Sequence, residues 1–217
     1  MEAARVPGPG VGPREADVAP APEPTGGAAG WTPADPGPLG LAAFAGTTFV
    51  LSLMNANLVS IRGIGAVLAL ALAYGGIAQF TAGIWEFRTG NTFGAVAFCS
   101  FGAFWISFYI LLKVIPSAAV TPHGLAAYLW MWAIFTTYMF LASLRTTAAV
   151  ALVFLLLAIT FILLAIGDMG GGHTSITHAG GWVGLITAIA AWYASFAAVI
   201  NSTFGRVLAP VVPLRRA

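Results

Sequence analysis

The sequence predicts an all-α membrane protein, a bundle of six transmembrane helices. Three observations carry that reading. Of the 217 residues, 59% are hydrophobic and only 7% are charged, where soluble domains hold about 25% charged residues. Mean hydropathy is +0.90. From Leu39 onward the chain contains six uncharged runs of 21 to 23 residues, with the charges confined to the short stretches between them. About 20 apolar residues cross a hydrocarbon core of about 30 Å. Lipid offers the backbone no partners, so each run must satisfy its own hydrogen bonds as a helix. Alternating strand patterns of about ten residues are absent, which argues against an outer-membrane barrel.

Residues 1–37 come first. They hold seven of the sixteen charges (Glu2, Arg5, Arg14, Glu15, Asp17, Glu23 and Asp35) among Pro, Gly and Ala. So little of this stretch can be buried that disorder is expected. No apolar core of about 7–15 residues follows a basic start, so it is not read as a signal peptide. The first run, Leu39–Val59, follows Asp35-Pro36-Gly37-Pro38, an N-cap residue with Pro at the first helical position. Free N–H groups and the positive helix end then face that mouth, as an anion would favour. Gly63–Trp85, Thr92–Leu112, Gly124–Leu144, Thr146–Gly167 and Ala179–Ile200 supply the other five. Small residues recur every four positions at Gly75, Gln79 and Gly83, at Ala95, Cys99, Ala103 and Ser107, and at Gly180, Gly184 and Ala188. Such ridges let helix backbones approach closely. Packing within one bundle is the plainer reading, although a subunit interface fits the same pattern. The expected organisation is a tail over 1–37, a membrane domain over 38–205 and a short basic tail over 206–217.

Lys and Arg positions set the orientation. Arg5, Arg14, Arg88, Arg145, Arg206, Arg215 and Arg216 fall on the side shared by both termini, against Arg62 and Lys113 opposite. Both termini are therefore expected in the cytoplasm, in a multi-pass protein of the plasma or inner membrane. The net charge of +2 includes no basic patch, which excludes a nucleic-acid partner. The lone Cys99 forms neither an internal disulfide nor a metal site.

Enzyme chemistry finds little support. Asp168, His173 and His178 flank a glycine run, without the helical i, i+4 spacing or further ligand that a metal needs. The plain reading is a polar turn, with no cofactor, no metal and no catalytic group. Within the runs the polar residues are neutral, Thr47, Thr48, Ser52, Asn55 and Gln79 among them, and Glu86, Lys113 and Asp168 lie near helix ends. A cation pump needs buried carboxylates along its route. A neutral or singly charged solute, passing an apolar pore with a few donors, suits this pattern better. For any single Thr, a hydroxyl bonded to its own helix is the plainer reading.

Several blocks resemble the acetate uptake transporter family, the succinate–acetate permeases. Asp35-Pro36-Gly37-Pro38-Leu39-Gly40-Leu41 is similar to that family's Asn-Pro-Ala-Pro-Leu-Gly-Leu signature. The likeness continues through Thr47-Thr48, Tyr74-Gly75-Gly76-Ile77-Ala78-Gln79, Ala82-Gly83 with Glu86, and Gly90-Asn91-Thr92-Phe93-Gly94. Further blocks are Phe104-Trp105, Leu163–Gly167, Ala179–Trp182 and Phe204-Gly205-Arg206. The resemblance implies a six-helix protomer with both ends cytoplasmic, a homo-hexamer in the lipid bilayer with one pore per protomer, and acetate, succinate or another short carboxylate as substrate. It leaves a channel and a proton-coupled symport carrier as alternatives.

That family narrows its pore with Phe, Tyr and Leu, which fall here on Phe44, Phe101 and Leu157. Phe101 departs from the tyrosine and Asp35 from the signature's asparagine. The resemblance further implies a substrate path along Thr47, Thr48, Asn55, Tyr74 and Gln79, and an entrance formed by Asp35, Pro36, Pro38 and Gly40. Glu86 is the candidate proton site, against the plainer reading of an interfacial carboxylate near Arg88. An unpaired buried ion costs tens of kcal/mol on a Born estimate, so a dry constriction has to be short. Two alternatives stand beside carboxylate transport: a urea- or amide-type solute channel, and a membrane-embedded enzyme built on His173 and His178.

Overall fold

The computed structural model describes Trp31, 33–169 and 173–214. Six of its helices are long and apolar enough to cross a membrane. In order they are Gly37–Asn55, Ile61–Thr89, Thr92–Lys113, Pro122–Ser143, Ala148–Gly167 and Thr174–Phe204, termed here the first to sixth helices. Each contains most or all of one uncharged run. Residues 1–30, where disorder is expected, lie outside the described residues, as do Arg215 and Arg216.

Local chemistry sets most of the helix ends. Asn91, Thr121 and Thr147 accept the N–H of Gly94, Gly124 and Val150 and so cap the third, fourth and fifth helices. The second and sixth stop at Gly90 and Gly205, both left-handed at φ 76° and 62°, where glycine carries no Cβ penalty. At the first helix the residue expected as N-cap lies one position outside. The cap is Pro36, and the Asp35 Oδ1 accepts the Gly37 N–H at 2.8 Å.

Two helices differ from their runs. The second is irregular, because an α-segment over Ile64–Leu72 widens into a π-helix over Ala73–Ala78 before α-geometry resumes at Gln79. Gly75 and Gly76 lie in that wide turn, and a Cβ on Gly75 would stand 2.6 Å from the Thr47 hydroxyl and 2.8 Å from Trp105. The missing side chain lets the first and third helices close on this stretch. The sixth helix has 31 residues, about 46 Å at 1.5 Å per residue, longer than its apolar run because the flanking Thr, Ser and Asn continue the helix.

The first helix packs on the sixth, the sixth on the fifth, the fifth on the fourth, and the second on the third. A Cβ on Gly181 would collide with the Ala56 nitrogen, and one on Gly83 with the Cys99 nitrogen. Gly180 and Gly184 abut Leu164 and Ser52 in the same way. These small residues therefore serve contacts within the bundle.

Six passes bring the start of the first helix and the end of the sixth to one face. There residues 205–214 fold back across the bundle. The Asn201 Oδ1 accepts the N–H groups of Leu208 and Ala209 at 2.7 and 3.0 Å, and its Nδ2 donates to the Ala209 carbonyl at 2.8 Å. The Tyr193 hydroxyl donates to the Pro210 carbonyl at 2.6 Å. The Ala148 N–H donates to the Val212 carbonyl, and the Leu214 N–H to the Thr146 carbonyl. The start of the stretch read as a basic tail is thus tied to the fifth and sixth helices.

Candidate functional site

Three helices carry a line of side chains from one face of the bundle to the other. On the fifth helix the line runs Val150, Phe154, Leu157, Phe161, Leu164, Asp168, a spacing of three and four that keeps one face. The first helix contributes Leu41, Phe44, Thr48, Ser52 and Asn55, and the third Ala97, Phe101, Phe104 and Phe108. These faces enclose two cavities in series. One, of about 320 Å³, opens on the face that holds the chain ends and is lined by Asp35, Glu86, Asn91, Thr147 and Asn201 among others. The second, of about 430 Å³, extends to the opposite face past Thr48, Trp105, Thr160 and Asp168.

Between them the bundle is nearly closed. The junction holds a void of only about 20 Å³, bordered by Leu41, Phe44, Gln79, Phe98, Phe101, Phe154 and Leu157. That is room for about one water molecule. Phe101 sits at the centre of the aromatic packing, with ring centroids 5.8 Å from Phe44, 6.0 Å from Phe154 and 5.3 Å from Phe135. Phe44, Phe101 and Leu157 therefore meet although they come from three helices. Sequence reasoning passed over their neighbours Leu41, Phe98 and Phe154. Each lies three residues before one of the trio and so shares its helix face, a signal the spacing already contained.

Gln79 is the polar member of the neck. It is 1% exposed, and its Oε1 has no hydrogen-bond partner. Leaving a buried acceptor unpaired costs about 1–3 kcal/mol, so the bundle holds this amide in the neck at a cost. Thr48 and Asn55 line the larger cavity, and the Thr48 hydroxyl likewise lacks a partner. Thr47 and Tyr74 stand elsewhere. The Thr47 hydroxyl donates to its own helix at the Ala43 carbonyl, 3.0 Å away, and Tyr74 packs beside Gly46. Neither borders these two cavities or the neck.

The entrance residues divide by role. Asp35, Gly37 and Pro38 line the smaller cavity. The Pro38 carbonyl accepts the Ser195 hydroxyl at 2.7 Å, which fastens the first helix to the sixth. Pro36 is buried as the N-cap. Gly40 lies beneath Phe98, whose ring would be 2.6 Å from a Cβ there, so the glycine sets how far Phe98 reaches toward the neck.

Glu86 forms part of the smaller cavity's wall, although it is 2% exposed. Its Oε2 accepts hydrogen bonds from Asn91 at 2.9 Å and Thr89 at 3.1 Å. Asn91 also caps the third helix through the Gly94 N–H at 3.1 Å, so the carboxylate is fixed to the turn between the second and third helices. The sequence-based expectation set Glu86 near Arg88, but its bonded partners are Asn91 and Thr89. Among the described residues lining the two cavities, the ionisable side chains are acids, Asp35 and Glu86 in one and Asp168 in the other.

Comparison with known proteins assigns the arrangement. Residues 28–216 match the GPR1/FUN34/yaaH family. The chain belongs to that family. The succinate-acetate/proton symporter SatP of Escherichia coli is 41% identical over 182 residues, covering 82% of this chain and 95% of SatP. Acetate permease A of Emericella nidulans is 43% identical over 195 residues, covering 82% of this chain and 65% of the permease. The solved structure of the bacterial acetate channel SatP aligns with a TM-score of 0.78 at 38% identity, covering 83% of this chain and 99% of that one. The GPR1/FUN34/yaaH membership agrees with the ordered blocks in the sequence, and this member is a multi-pass membrane protein.

Proposed function

We propose that this protein moves acetate and similar small monocarboxylates across the cell membrane. The observation that carries the proposal is the pair of cavities joined through a neck of Phe44, Phe101 and Leu157, in a chain whose relatives are named for acetate. An ion crossing here loses its water only over the short apolar stretch. Thr48 and Gln79 each leave a polar atom unpaired beside that stretch. Closing a pore with apolar side chains excludes hydrated inorganic ions. Labelled acetate uptake into proteoliposomes tests the reading, and uptake no faster than into empty vesicles overturns it. The acids along both cavities also favour a neutral solute, which keeps a urea- or amide-type channel as the second reading. Uptake inhibited by urea and indifferent to acetate would select it.

The same reading assigns residues 38–205 as the transport domain, with both termini in the cytoplasm, and a homo-hexamer as the assembled form. Transport without catalysis is part of it, and His173 and His178 take no part in the path. Glu86 serves as the proton site, because it lies on the cavity wall with two donors and, among the described residues, no cation bonded to it. Glu86→Gln should flatten the pH dependence of uptake several-fold. An unchanged profile removes the role.

A further inference from the structure

Asp168 stands where the local electrostatics are against it. It is the C-cap of the fifth helix, the negative end of the helix dipole, where a carboxylate is disfavoured. It is half-buried, and among the described residues no hydrogen bond to its carboxylate offsets that burial. Burial pushes its carboxyl above the ordinary aspartate range. Yet it borders the larger cavity, at the end remote from the neck and about 16 Å along the helix from Leu157. An ionisable group held in a cleft at such a cost is a functional candidate.

We propose that Asp168 is the charge-selecting residue of the path, favouring monocarboxylates over dicarboxylates at the mouth of the larger cavity. This inference rests on the carboxylate-transport reading above. Charged or titratable groups at the same face are Arg62, Lys113, His123, His173 and His178, from the second, third, fourth and sixth helices and the residue that precedes the sixth. None of them lines the cavity. Any anion entering there meets one fixed negative charge with no cation beside it among the described residues of the wall. A dianion meets twice the repulsion of a monoanion. At ~8 Å and an effective dielectric constant of ~40, the second charge adds roughly a fivefold penalty. A cavity of about 430 Å³ has the volume for a four-carbon diacid, so charge at this mouth separates acids that cavity volume alone would admit.

The test compares acetate, succinate and succinate monomethyl ester in proteoliposomes at about pH 7.5, where succinate is a dianion and its ester is a monoanion of similar length. Asp168→Asn is expected to raise succinate uptake about fivefold relative to the ester and to acetate. Asp168→Glu, which keeps the charge, should retain the discrimination of the original chain. Thermal melts in detergent verify folding of both variants. If Asp168→Asn leaves the succinate-to-ester ratio unchanged, or if Asp168→Glu shifts it equally, the charge-selecting role is overturned. If the unsubstituted protein moves none of the three acids, the transport reading itself falls.

Discussion

Phe101 and Gln79 show how much two side chains decide at the neck. Phe101 is nearly fully buried among rings, at a position where the resemblance implies a tyrosine. Restoring the hydroxyl with Phe101→Tyr adds a donor at the driest point of the path. Gln79 borders the same void with an acceptor that has no partner, so the new hydroxyl need not stay unsatisfied at rest. A hydrogen bond to a charged group is worth roughly 1.5–3 kcal/mol. Acetate flux should therefore rise by about tenfold or more if the full bond forms at the barrier, with little change in melting temperature. Uptake rates and melts on the same preparation check both halves. A well-folded variant with unaltered flux would return Phe101 to a packing role. The buried Gln79 was legible as a polar residue in an apolar run, but its place in the void was not. That depends on a turn geometry no residue pattern announced.

The turn in question belongs to the second helix. Six uncharged runs made six helices legible, because hydropathy fixes which segments leave water. It does not fix how each helix rotates about its axis. The π-segment Ala73–Ala78 changes the rotation between Ile64–Leu72 and Gln79–Thr89, and such wide turns are frequent at functional sites. Gly75-Gly76 hinted that something approaches closely there. It did not reveal that Thr47 is the neighbour; the resemblance implies a place for Thr47 on the path, and its hydroxyl stands at a helix contact. Inserting one alanine between Leu72 and Ala73 should rotate one half of the helix against the other by about 100°. Far-ultraviolet circular dichroism should keep its helical signal while acetate flux falls at least about tenfold, the usual order for displaced functional groups. Retained flux would mean that the wide turn has no part in positioning Gln79.

At the scale of the molecule, two cavities in series are separated by side chains from four helices, and the segment 205–214 borders one mouth. The neck was legible through the resemblance together with the three-and-four spacing along each helix. The fold-back of 205–214 was not, since it depends on one Asn201 amide bonding the backbone of residues seven and eight positions away, and a Pro-Val-Val-Pro stretch carries no such pattern. The neck has one more consequence, and it concerns temperature. Room for about one water is too little for acetate, so each passage has to wait until Phe44, Phe101 and Leu157 move apart. Rings packed against several others turn only when their neighbours give way, and gating of this kind commonly sets the rate. Flux should then carry a large activation enthalpy, and its Arrhenius slope between about 10 and 35 °C should exceed that of the same acid through a water-filled porin. A slope as shallow as the porin's would mean that the neck stands open in the membrane. A steep one would make this protein a pore whose conductance is set by how often its own side chains part.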